Sequence, residues 1–202
     1  MTVHGGLLFF GGFDHRASLA DVLRHNLDTG VRAEVARLTD ADFRAYDDTA
    51  LAAKVAVARR AEPIILRTAE SVGGANPARV KVNDFFSGQV EVDGLDVTKT
   101  IPFDGDPQLF DLRPNQFDLN PPRGEVRGRK LIIGMGVRES ESETAVRHIE
   151  ATLAAVETYL SRQADAIDAY NAALPGAALS LIQQRRGTFG AASDIASRLS
   201  GR

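Results

Sequence analysis

The chain contains no cysteine and no tryptophan. Absence of cysteine excludes disulfides, thiolate metal sites and a cysteine nucleophile, and it fits a reducing compartment. Without tryptophan, any aromatic platform must come from Phe and Tyr. Long hydrophobic runs are also missing. The N-terminal apolar run, Leu7 to Phe10, is flanked by glycine pairs and has no Lys or Arg before it. A signal peptide needs a basic start and a longer apolar region, and a spanning helix needs about 20 apolar residues. The expectation is a soluble, cytoplasmic protein with no membrane partner. A large excess of charge of one sign is missing too: the formal net charge is −3, which argues against a general electrostatic grip on nucleic acid. His4, His15, His25 and His148 do not stand at metal-ligand spacing from one another. The pairs Gly5-Gly6, Gly11-Gly12 and Gly73-Gly74 lack the Lys-Ser/Thr or GxGxxG context of a phosphate loop. They read as structural turns.

What is present is enough to build a core. With 202 residues and 44% hydrophobic composition the chain reads as globular, one domain overall. Residues 3–13 suit a short strand between glycine pairs. Asp14 or Ser18 can cap a helix that carries Leu19, Val22, Leu23 and Leu27 and stops at Gly30. A second helix is expected near 31–38, a third behind Thr39 as N-cap, and an Ala-rich one over Thr49 to Ala61. The period then changes. Ile64 to Leu66 reads as a buried strand. Residues 79–82 and 89–92 alternate polar and apolar, as half-buried strands do. Asp93-Gly94 signals a hairpin turn, with Leu95 to Phe103 returning. Leu109, Phe110 and Leu112 offer a further apolar segment, and Lys130 to Val137 is the most apolar strand, its Gly134 and Gly136 marking a bulge or a close backbone approach.

After Glu139 the period becomes helical. Val146, Ile149, Leu153, Val156, Leu160, Gln163, Ile167 and Tyr170 follow an alternating 3-4 spacing, one apolar seam interrupted at Gln163. Leu174-Pro175-Gly176 is expected to end this helix and start a shorter antiparallel one. The fold class is therefore α+β: a mainly antiparallel sheet over about 64–137, preceded by short helices and covered by a long C-terminal helix plus a short antiparallel helix. The corresponding division is a helical portion over 1–62, a sheet and long-helix module over 63–186, and a tail or linker start over 187–202.

Candidate chemistry is thin. Asp104, Asp106 and Asp111 could offer oxygen ligands to Mg²⁺ or Ca²⁺, but Asp-Gly-Asp-Pro is also ordinary turn chemistry. Asp106 and Glu125 with Arg127 or Lys130 follow the acidic-then-basic order of metal-dependent nucleases. Arg123, Arg127, Arg129 and Lys130 form a basic cluster able to contact phosphates, or a solvated hairpin face. The seam residues Val146, Ile149, Leu153, Val156 and Leu160 suit either a core stripe or a helix pairing between subunits. No catalytic residue, cofactor or metal site is assigned.

Three pieces carry a family resemblance: PFDGDPQLFDLRP, NPPRGEVRG and the AYNAALP run at the end of the long helix. They lie within about residues 60–186. This stretch resembles uncharacterised bacterial proteins in which an amino-terminal α+β module precedes a variable effector, in several members a restriction-endonuclease-like domain. The resemblance implies a regulatory or assembly role in a defence-type system, a protein partner or effector domain, and a linker beginning near Arg202. It supplies no catalytic position. The leading expectation is a non-catalytic recognition and assembly module, with a homo-oligomer as one form of that assembly. The alternatives are a metal-dependent nuclease using Asp106 and Glu125, or a nucleic-acid binding module using the 123–130 cluster.

Overall fold

The computed structural model describes residues 1–10, 18–84, 88–118 and 120–200. Its strands are β1 (Thr2–Val3), β2 (Gly6–Leu7), β3 (Ile65–Leu66), β4 (Val72–Asp84), β5 (Gly88–Asp104), β6 (Arg123–Arg127) and β7 (Lys130–Val137). Its helices are α1 (Leu19–His25), α2 (Val31–Arg37), α3 (Asp40–Ala45), α4 (Asp48–Arg59) and α5 (Ser142–Leu199). The class is α+β, with an antiparallel sheet of seven strands and a long C-terminal helix. The chain divides into two compact units, each made of two stretches: Met1–Leu19 with Glu62–Asp165, and Ala20–Ala61 with Ala166–Arg202.

The first unit is organised around β5. It pairs with β4 from Val72↔Thr100 to Asp84↔Gly88, and with β7 from Leu95↔Val137 to Pro102↔Lys130. This register sets Val80 opposite Val92 and Val82 opposite Val90, cross-strand pairs of the kind that hold a sheet face together. Along β7, Leu131, Ile133, Met135 and Val137 are buried at period two. Asp93-Gly94 is not a turn: β5 runs straight through it, with Gly94 opposite Ala78. A Cβ on Gly94 would collide with the Val137 carbonyl oxygen and lie 2.6 Å from Val80 Cγ2. Glycine is required there by close packing, which outweighs the local turn signal. Gly134 and Gly136 serve the close approach expected of them: a Cβ on Gly134 would meet the Val97 carbonyl oxygen at 2.9 Å.

In the Pro-rich block from Ile101 to Ile133 the apolar segment at Leu109 and Phe110 lies on a 3-10 helix, Pro107–Asp111. Asp106 caps it, accepting from the Gln108 amide at 3.0 Å. Pro107, lacking an N–H, suits its first turn. The helix buries Leu109 and Phe110, and Phe110 packs at 5.5 Å from Phe9 and 5.1 Å from Phe103 between ring centroids. The first part of α5 closes this unit by burying Ala145, Ile149, Val156, Tyr159 and Leu160.

In the second unit, Gly30 does not stop the first helix. It sits at φ −64°, and a π-helical turn, Asn26–Gly30, leads directly into α2. Arg59 lies over it: a Cβ on Gly30 would collide with Arg59 Nη2, and the same guanidinium donates to Asn26 Oδ1 at 2.7 Å. Thr39 does cap α3, in a reciprocal box with Asp42. Asp47 caps α4, accepting from the Ala50 amide at 2.7 Å. The C-terminal stretch is one helix rather than two. It passes through Pro175 and Gly176, both exposed, and past Gly187. Ile167, Tyr170, Leu174, Ala178 and Ile182 stay buried at helical spacing on both sides of the proline. Burial of that stripe outweighs the roughly 3 kcal/mol that an interior proline costs. Asn171 reads the backbone of Ala61 twice, accepting its N–H at 3.0 Å and donating to its carbonyl at 2.9 Å. The Tyr170 hydroxyl donates to the Arg59 carbonyl at 2.8 Å.

Candidate functional site

Three of the acidic candidates are held by structural partners. Asp106 is the helix cap described above. Asp104 lies 3.7 Å from Arg67 Nε. Glu125 accepts two hydrogen bonds from the Arg127 guanidinium, at 2.6 and 2.9 Å. These hydrogen bonds hold its carboxyl below the usual range. Among the described residues no group of three or more His, Asp and Glu is placed to hold a metal ion.

The basic cluster disperses in the same way. Arg127 is committed to Glu125, and Arg129 Nη1 donates to the Gly105 carbonyl at 3.0 Å. Arg127 and Lys130 face each other across the β6–β7 hairpin, where Gly128 takes φ +58°. A positive φ at the first central position suits glycine in a two-residue hairpin. Arg123 sits elsewhere, opposite Leu7 and beside a cavity of about 400 Å³ that it shares with Val3, His148 and Thr152. His4 faces Asp96 at 3.3 Å. His15 lies outside the described residues.

The helical seam faces inward. Ile149, Val156 and Leu160 are buried and Leu153 is half-buried, whereas Val146 is 43% exposed. Gln163, the polar interruption, is buried because its amide serves the backbone around it. Its Nε2 donates to the carbonyls of Leu109 and Leu112 at 2.9 and 2.7 Å. It fastens the Pro-rich block to the helix. A glutamate at Val156 would therefore disrupt the core before it disrupted any interface.

The surface that sequence reasoning missed is the edge of β4. Among the described residues this strand pairs with β5 alone, and its outer side is touched near one end, where Thr2 Oγ1 donates to the Lys81 carbonyl at 2.7 Å. Val72 is 68% exposed, and a Cβ on Gly73 would meet nothing within 4 Å. Beside this edge runs a groove of about 540 Å³, lined by Gly73, Gly74, Ala75, Val97, Val146 and Ile149, among others. Pro77 was the available signal: proline inside a strand-like run belongs on an edge. The Gly73-Gly74 pair, expected to be a turn, is strand backbone stripped of side chains.

Among the described residues no helix is long and apolar enough to cross a membrane. No protein-family model, curated protein or solved structure matches the chain.

Proposed function

We propose that the chain is a non-catalytic recognition and assembly module that takes an extended segment of a partner protein as an added strand along β4. The observation that carries this reading is the open edge from Val72 to Asn76 with the apolar groove beside it. An unpaired edge presents a row of N–H and C=O groups that another extended chain satisfies, and neighbouring pockets read alternate side chains. Pro77, with Arg79 and Lys81 beyond it, protects the far half of β4 from indiscriminate pairing. The near half has no such protection. It carries Val72, exposed on the strand, and Val146, exposed on the helix across the groove. The commitment of Asp106, Glu125 and Arg127 to structural partners adds support for a binding role over the nuclease alternative. An effector domain, in the same polypeptide or another, is the partner this module would regulate.

The test is selection of linear peptides from a random display library on the purified chain, with calorimetry of the enriched sequences. Light scattering runs in parallel for self-association. Saturable binding, or a dimer, that is lost in Val72→Glu and Val146→Glu while thermal unfolding is unchanged supports the reading. Both substitutions are at exposed positions, so they leave the core alone. A monomer that selects no saturable peptide, or binding indifferent to both substitutions, overturns it.

A further inference from the structure

A second surface, confined to the helical unit, has the chemistry of a small-molecule site. Between α2 and the C-terminal part of α5 lies a cavity of about 510 Å³, within the range of ligand pockets. Val35, Ala36 and Leu181 give it an apolar wall, and Phe189, 41% exposed, presents its ring. Two guanidinium groups, Arg32 and Arg185, line it together with Gln184 and Thr188, and among the described residues no carboxylate does.

The state of those cations decides what the cavity accepts. The neighbouring Arg186 is neutralised, with Nε 2.6 Å from Asp48 Oδ1, and its other nitrogens donate to the carbonyls of Phe43 and Tyr46. Arg185 is fixed without a carboxylate partner among the described residues. It donates to the Val35 carbonyl and lies over two rings that also touch each other, 5.2 Å from the Phe43 centroid and 5.4 Å from that of Phe189. Stacking orients a guanidinium and leaves its charge uncompensated. Arg32 has no ion pair or hydrogen bond among the described residues, and the acid two positions along α2, Glu34, is held by Arg37 at 3.1 Å. Among the described residues the cavity thus combines two cations without a carboxylate partner, one of them pre-oriented, with an apolar wall and an exposed ring.

We propose that this cavity binds a small anion with a planar apolar body. Its phosphate or carboxylate head meets Arg32 and Arg185, and its ring lies against Phe189 and Leu181. Guanidinium forks suit both head groups, so the experiment separates them.

The probes are adenosine monophosphate for the phosphate head, 1-naphthoate for the carboxylate head, and their uncharged counterparts adenosine and 1-naphthalenemethanol. Binding is followed by amide chemical shifts of the full chain. At least one anion is expected to saturate with shifts centred on Val35, Leu181 and Gln184, and to bind about tenfold or more tightly than its neutral counterpart. Arg32→Ala, at an exposed helix position, should weaken it about fivefold or more with the spectrum otherwise intact. Whichever anion binds identifies the head group. If neither anion saturates, if the neutral counterparts bind equally well, or if Arg32→Ala leaves affinity unchanged, the site is refuted. The neutral comparison is made on the unsubstituted chain, so it stands whether or not the variant folds.

Discussion

Replacing Gln163 with leucine should destabilise the protein even though it puts an apolar residue into an apolar seam. Gln163 is 1% exposed, and its Nε2 serves two carbonyls, those of Leu109 and Leu112. Leucine leaves both without that donor. The bond to Leu109 is buried, and a buried group left unsatisfied costs about 1–3 kcal/mol. The bond to Leu112 is only partly buried, so water can replace it and the loss there is about 0.5–1 kcal/mol. Against this, Gln163 Oε1 is buried with no hydrogen-bond donor among the described residues, and removing it returns about 1 kcal/mol. The net expectation is a loss of about 2 kcal/mol, or roughly 4–8 °C in Tm for a chain of this size. Guanidinium and thermal melts followed by circular dichroism measure it. Gln163→Glu sharpens the test. Burial against two carbonyls raises the folded-state pKa of the new carboxyl above its unfolded value of about 4.3. The protonated form can donate one hydrogen bond and the carboxylate none. The deficit of this variant relative to the parent should therefore be smallest below about pH 4 and grow as pH rises through the folded pKa. A leucine variant within about 0.5 kcal/mol of the parent, or a glutamate variant with the same deficit at acid and neutral pH, would refute the reasoning.

Gly94→Ala should cost about 1–3 kcal/mol, towards the upper end because the nearest obstacle is the Val137 backbone oxygen rather than a mobile side chain; urea titration would show it, and a neutral outcome would mean the strands can part there. At the exposed Pro175, alanine restores a donor to the helix, so Pro175→Ala should stabilise by up to about 3 kcal/mol in thermal melts; loss of stability would show that the proline is needed. Gly176→Ala, with nothing within 4 Å of the new Cβ, should gain about 0.5–1 kcal/mol by the same assay. Asp42 is held well below the usual carboxylate range, chiefly by the Lys54 hydrogen bond and then by the Thr39 amide. Its contribution is present above the unfolded value near 3.9 and is lost as pH falls through the folded pKa. Asp42→Asn should flatten the acid limb of the stability profile, and an unchanged limb would count against the Lys54 pairing.

The α+β class, the sheet over the middle of the chain, the Thr39 cap and the long helix were legible in the residues because each rests on local periodicity or local hydrogen bonding. Alternation marked Arg79 to Val82 and Gln89 to Val92, apolar content marked Lys130 to Val137, and the 3-4 spacing marked the seam with Gln163 as its odd member. Three local signals misled for one reason. Asp93-Gly94, Gly30 and Leu174-Pro175-Gly176 each carry turn or stop chemistry, and each is overruled by contacts distant in sequence. Val137 and Val80 crowd Gly94, Arg59 covers Gly30, and the buried stripe from Ile167 to Ile182 carries the helix through Pro175. The candidate sites divide along the same line. Sequence could nominate Asp106, Glu125 and the cations from Arg123 to Lys130, since residue type is all that nomination needs. Only tertiary structure could commit Asp106 to a cap and Glu125 to Arg127 and, among the described residues, leave the edge of β4 open and bring Arg32 and Arg185 to one cavity that no carboxylate lines. Composition and period are properties of neighbours along the chain, whereas the pairing of a charge, or of a strand edge, depends on what folding brings alongside it.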